Sequence, residues 1–114
     1  MGQWYRPIEK MSFSAAADLH FMHHIESVGR KTALVCGVEG HVCVYQTARD
    51  LRTLGYDVEV VADAVGSRSD HNHDLALDKL TRHSVELTTV EMALFEMMQR
   101  ADIPEFKAVS KIVK

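Results

Sequence analysis

The stretch Ala33-Leu34-Val35-Cys36-Gly37-Val38-Glu39-Gly40-His41-Val42-Cys43-Val44 decides how this chain folds. An apolar run ends in a glycine-rich turn, and an amphipathic segment begins at once on the far side. Val44, Ala48 and Leu51 follow at the i, i+4, i+7 spacing of one helical face, and Gly55 is placed to end the helix. The pattern predicts a buried strand over 31–36, a tight turn, and a helix over 43–54 whose first turn carries Cys43. A thiol there meets the positive end of the helix dipole and several unpaired backbone N–H groups. Both favour thiolate chemistry and can receive a developing oxyanion. Cys43 is therefore the candidate nucleophile. Cys36, at the strand end, reads as a small buried hydrophobe.

Downstream, the β-branched run in Tyr56–Ala62 reads as a second buried strand. Asp63–Arg68 is a loop at its carboxyl end. Ser69 or Asp70 caps a helix running to about His83, with Leu77 and Leu80 facing in. Glu86-Leu87 is a short strand, and Thr88-Thr89-Val90-Glu91 has the form of a capping box. The helix beyond it buries Leu94, Phe95 and Met98. A last short helix follows Pro104 and buries Phe106, Val109 and Val113.

Upstream, residues 1–7 form an irregular lead-in and Ile8–Met11 a short strand. Ser12–Ser14 is a turn opening into a helix over Ala15–Val28, with Ala17, Phe21, His24 or Ile25, and Val28 on one face and Gly29 as its C′ residue. Strand and helix alternate from 31 to 100, which predicts a parallel sheet with helices on its faces in one domain, 1–114. Ligand crevices in such sheets lie at the carboxyl ends of the strands, where the turns at 37–42 and 63–69 fall.

Composition narrows the function classes. The 114 residues are 46% hydrophobic and carry a formal net charge of −3. No basic run suggests nucleic-acid binding, and no apolar stretch nears the roughly 18 residues of a membrane span. Residues 1–15 lack the apolar core of a secretory signal. Two cysteines seven apart, without C-x-x-C spacing, argue against a structural disulfide and a zinc site and favour the cytoplasm. His20, His23 and His24 stand at i, i+3 and i+4, but with no carboxylate or cysteine to complete a shell they read as a solvated face. His71 and His73 read as solvent-facing residues at a helix start. His41 either lines the pocket and tunes the thiolate or points outward from the turn. Met92, Met97 and Met98 read as core filler.

Several of these segments, taken together, carry a family resemblance. Gly37 to Val44, Gln46-Thr47-Ala48, Asp50-Leu51, Gly55-Tyr56, Val60 to Ala64 and Ser67-Arg68 resemble the isochorismatase-like cysteine hydrolases, most closely the isochorismatase domain-containing proteins. Glu9-Lys10-x-x-Phe13-Ser14 is similar to the family's lysine motif, and Thr88-Thr89-x-Glu91 and Pro104-x-Phe106-Lys107 match the subgroup's C-terminal half. The resemblance runs from about residue 8 to the end. It implies a three-layer α/β/α fold with a doubly wound parallel sheet, and hydrolysis of a small amide, imide or related substrate. By motif, Cys43 would be the nucleophile and Lys10 the lysine that stabilises its thiolate. Val38–Glu39 would be the family's non-proline cis bond, and the N–H groups of Val42 and Cys43 the oxyanion hole. His41 and Phe13 are possible pocket residues. No cofactor and no metal is implied; the partners expected are a small-molecule substrate and further copies of the chain.

The family's aspartate lies on a first strand for which this chain has no counterpart, so the chain is expected to be the C-terminal two thirds of such a domain, lacking the first strands. Asp50 and Asp63 do not occupy that motif, and Asp63 reads as loop-fixing. Strand 31–36 is then expected to present an unpaired apolar edge, either within a fragment of a longer protein or covered by something such as a second copy. Two other functions follow as alternatives. One is a catalytically inactive chain acting through self-association or protein interaction. The other is a redox-sensing thiol at Cys43, which a buried Cys36 could not resolve.

Overall fold

The computed structural model describes residues 2–114; Met1, the first residue of the lead-in, lies outside them. Three strands form one parallel sheet in the order β1-β2-β3: β1 Thr32–Val38, β2 Asp57–Gly66 and β3 Glu86–Thr88. The helices are α1 Leu19–Val28, α2 Tyr45–Thr53, α3 Asp70–Arg82, α4 Val90–Met98 and α5 Phe106–Ile112.

The period-2 geometry of β2 assigns the layers. Val58 and Val60 belong to one buried cluster with Val44, Ala48 and Leu51 at the start and along the inner face of α2, and with Ala76 and Leu80 of α3. Phe21, Met22 and Ile25 of α1 pack against the same cluster. Val61 and Ala93 are buried outside it, which places α4 across the opposite face. Helix, sheet and helix thus make the three layers expected. Tyr45 pins α2 to α3, its ring lying 4.9 Å from Lys79 Nζ and 5.5 Å from the Arg49 guanidinium.

Several boundaries differ from expectation, each for a local reason. Ile8–Met11 is not a strand; no neighbour pairs with it, and the Lys10 ammonium turns back onto its own chain. The helix expected over Ala15–Val28 is broken at Asp18, whose carboxylate accepts the Phe21 N–H at 2.9 Å and caps α1, leaving a 3-10 turn over Ala15–Ala17. The lead-in holds one 3-10 turn, Gly2–Trp4. β2 runs on through residues 63–66, expected to be loop, because Val35 pairs with Val60 but Gly37 with Val65, so the strand bulges between them. Thr89, not Thr88, caps α4: its hydroxyl accepts the Met92 N–H at 3.1 Å, while Thr88 is buried in β3 opposite Val61. Leu94, Phe95, Met98, Phe106, Val109 and Val113 are half-buried rather than enclosed.

β1 is an edge strand with its outer side unpaired among the described residues. Leu34 is 44% and Val38 75% exposed, and Cys36 is exposed rather than buried. The reading of Cys36 as an enclosed hydrophobe is corrected: a strand with one neighbour shields only part of its surface.

Glu59 on β2 stands opposite Glu86 on β3. Burial first, then the charges of Glu96 and Glu86, push its carboxyl above the ordinary value of 4.5. A raised acid favours the folded state only when protonated, so stability falls as pH rises through 4.5 towards the shifted value. Glu59→Gln is therefore expected to stabilise the chain at pH 7 by ~0.2–1 kcal/mol, the range for a like-charged cross-strand pair. That gain should vanish below pH 4.5, as urea titrations at the two pH values would show.

Candidate functional site

The turn after β1 builds the site. The Val38–Glu39 peptide is cis. The Glu39 carbonyl accepts the N–H groups of both Val42, at 3.1 Å, and Val44, at 3.2 Å. The second of these bonds is i→i+5, and Gly40–Val44 is a π-helical turn leading directly into α2. Cys43 lies within that turn, half-buried, one step earlier than the α-helical position expected. The Val42 N–H, expected as an oxyanion donor beside that of Cys43, donates to the Glu39 carbonyl.

Three contacts fix the turn to the carboxyl end of β2. The Glu39 carboxylate accepts the Arg68 N–H at 3.1 Å and lies 3.4 Å from the Arg68 guanidinium. His41 Nδ1 is 2.9 Å from Ser67 Oγ. Gly40 presses against β2 so closely that a Cβ would lie 2.5 Å from Val65 Cγ1 and 3.2 Å from Ser67 Oγ.

A cavity of about 620 Å³ opens beside the turn. Cys43, Lys10, Cys36 and Thr47 line it together with apolar walls from α1, β1 and α2, among them Phe21, Ile25, Val35 and Leu51. Lys10 and Cys43 thus border one space, although 33 positions separate them. The Lys10 ammonium donates to the carbonyls of Ser12 at 2.7 Å and Phe13 at 2.9 Å, which leaves one of its three N–H donors for another partner. Phe13 and His41, expected as possible pocket residues, are not among the lining residues: Phe13 is exposed and His41 is tied to Ser67. His24, read from sequence as part of a solvated face, lines the cavity instead. Its place beside Phe21 and Val28 at helical spacing was the available clue. Thr47 lay within the quoted motif and was given no role.

Three aspartates of this chain are engaged elsewhere. Asp18 caps α1, Asp50 lies 3.9 Å from the Arg49 guanidinium, and Asp63 accepts the Val90 N–H at 2.9 Å, holding the start of α4. Among the described residues, no group of three His, Cys, Asp or Glu side chains is placed to hold a metal ion. Nor is any helix long and apolar enough to cross a membrane.

A parallel sheet layered by helices, with a cysteine-bearing turn at the carboxyl end of a strand, defines a Rossmann-like α/β protein, a class whose ligand crevices lie at that edge. Comparison with known proteins gives the family. The model of the isochorismatase domain matches residues 5–92. The chain is 47% identical over 107 residues to the secreted isochorismatase effector Isc1 of Phytophthora sojae (strain P6497), covering 93% of this chain and 51% of that protein. It is 36% identical over 109 residues to isochorismatase domain-containing protein 2 of Danio rerio, covering 95% and 55%. The structure resembles that of the MAR1 ribonuclease from Caenorhabditis elegans with a TM-score of 0.82 at 33% identity, over 91% of this chain and 53% of that one. The chain belongs to the isochorismatase family. It spans about half the length of these relatives.

Proposed function

We propose that the chain carries the nucleophile of a cysteine hydrolase acting on a small amide, imide or related substrate. The observation that carries this reading is the shared cavity: Cys43, in a π-turn at a helix start, and Lys10, with a donor to spare, border the same apolar space. In this mechanism the Cys43 sulfur bonds to the substrate carbonyl carbon. The Cys43 N–H receives the oxyanion, and Lys10 holds negative charge at the sulfur before attack. The C–N bond then breaks, the leaving nitrogen takes the proton given up by the Cys43 thiol, and water cleaves the thioester to release the acid and restore the thiol. The family resemblance implies an aspartate as carrier of that proton; Asp18, Asp50 and Asp63 are each held in a cap or an ion pair.

The substrate's identity is not carried over from relatives, whose names point to different substrates on one fold. A cytoplasmic setting belongs to this reading and is supported by the two free thiols, although the P. sojae relative is named as secreted.

The exposed outer side of β1 favours a second reading, a catalytically inactive chain that associates with further copies through this edge. Peptide-mapped alkylation with iodoacetamide separates the two. Accessibility alone would make exposed Cys36 react before half-buried Cys43. The hydrolase reading expects the reverse order, and expects Lys10→Ala to slow Cys43 about tenfold while leaving Cys36 unchanged. Cys36 reacting first, with no effect of Lys10→Ala, would leave the associating chain as the better account.

A further inference from the structure

We propose that Thr47 is a positioning residue for this site: its hydroxyl hangs the Lys10-bearing segment on the helix that follows Cys43. The proposal rests on the assignment of Cys43 and Lys10 made above.

Residues 10–16 form a compact knot of local hydrogen bonds. Lys10 Nζ donates to the carbonyls of Ser12 and Phe13, the Ser12 hydroxyl donates to the Ser14 carbonyl at 2.7 Å, and the Ser14 hydroxyl accepts the Ala16 N–H at 3.2 Å. These bonds shape the knot but do not say where it sits. Ala16 packs against the core, and the knot's hydrogen bond to the site is the Ala15 N–H, which donates to Thr47 Oγ1 at 2.9 Å across 32 positions of sequence. Thr47 is 8% exposed and Ser14 5%, so the junction is shielded from water that would otherwise compete for the bond. Thr47 follows Cys43 by four residues and lines the same cavity. One hydroxyl therefore fixes the knot relative to the nucleophile. Lys10, exposed and otherwise held only by its own neighbours, takes its place in the cavity wall from that bond. Small displacements of such a charge relative to a reacting atom cost rate steeply.

The test removes the acceptor in two ways. Thr47→Val deletes the hydroxyl at nearly constant volume, and Thr47→Ala deletes it together with the γ-methyl. Thr47→Ser restores the hydroxyl. Iodoacetamide is the probe, with Cys43 and Cys36 rates read separately in the full 114-residue chain and thermal unfolding recorded for each variant.

Thr47→Val and Thr47→Ala are each expected to slow Cys43 about tenfold and to leave Cys36 unchanged. Thr47→Ser should restore the rate to within about twofold. In a Lys10→Ala background, neither substitution should slow Cys43 further, because both act through Lys10. A purely structural role would lower the unfolding temperature and change both cysteines without reference to Lys10. The proposal is overturned, with the hydrolase reading intact, if Lys10→Ala slows Cys43 but Thr47→Val and Thr47→Ala do not, or if their effects multiply with that of Lys10→Ala. If Lys10→Ala itself leaves Cys43 unchanged, the hydrolase reading fails first and this proposal with it. Should Thr47→Val fail to fold, Thr47→Ala alone decides between the same outcomes.

Discussion

Cys43→Ala is expected to reduce turnover of any amide or imide that the chain cleaves to background, a fall on the order of 10⁴-fold or more. Removing a nucleophile removes the covalent route altogether, and what survives in such variants is the smaller contribution of binding and oxyanion donors. Cys36 cannot take over. It borders the cavity from β1, away from the π-turn and the start of α2 whose N–H groups would receive an oxyanion. The substitution removes one sulfur from a half-buried position, so the unfolding temperature should change little. Ammonia release from a panel of small amides, measured for both proteins alongside thermal unfolding, checks both halves. Turnover persisting in folded Cys43→Ala would remove Cys43 from the mechanism.

Gly40→Ala should give the largest loss of stability per atom added. Its Cβ would lie 2.5 Å from Val65 Cγ1, inside any tolerable contact, and 3.2 Å from Ser67 Oγ. Val65 is buried and β-branched, with little rotamer freedom to move aside. The turn must therefore back away from β2, straining the Glu39–Arg68 and His41–Ser67 contacts that fix it. A cost of ~1–3 kcal/mol is expected, the usual range for forcing atoms into a filled space. The site should suffer with the fold, since Cys43 rides on the same turn. The double variant Gly40→Ala/Val65→Ala isolates the cause. Trimming Val65 opens a small cavity on its own, yet in the alanine background it also relieves the clash. The two free-energy changes, read from urea unfolding, should sum to more than the double variant shows.

What was legible in the sequence was what local pattern fixes. The turn from Gly37 to Val44 announced itself because glycines, an apolar run and a helical face meet within twelve residues. The parallel sheet and its helical layers followed from the alternation of element types. What was hidden depended on partners far along the chain. Thr88 and Thr89 are equally good caps on paper. The pairing of Thr88 with Val61 and the bond from Asp63 to Val90 settle the choice, and both partners lie more than 25 positions upstream. Cys36 reads as buried because its run is apolar, but burial of a strand needs a neighbour on each side, a fact no window around Cys36 contains. The position of Lys10 was legible only as a motif; its address in the cavity depends on a bond from Ala15 to Thr47.

The one-sided pairing of β1 bears on the space beside Cys43. An interior strand is clamped by two ladders and sets the dimensions of whatever it lines. Among the described residues β1 is paired with β2 alone, so its outer side borders that space without a ladder of its own. Of the two helices that line it, α2 carries fully buried residues and α1 carries none. Leu51, buried in α2, is therefore its most firmly held wall.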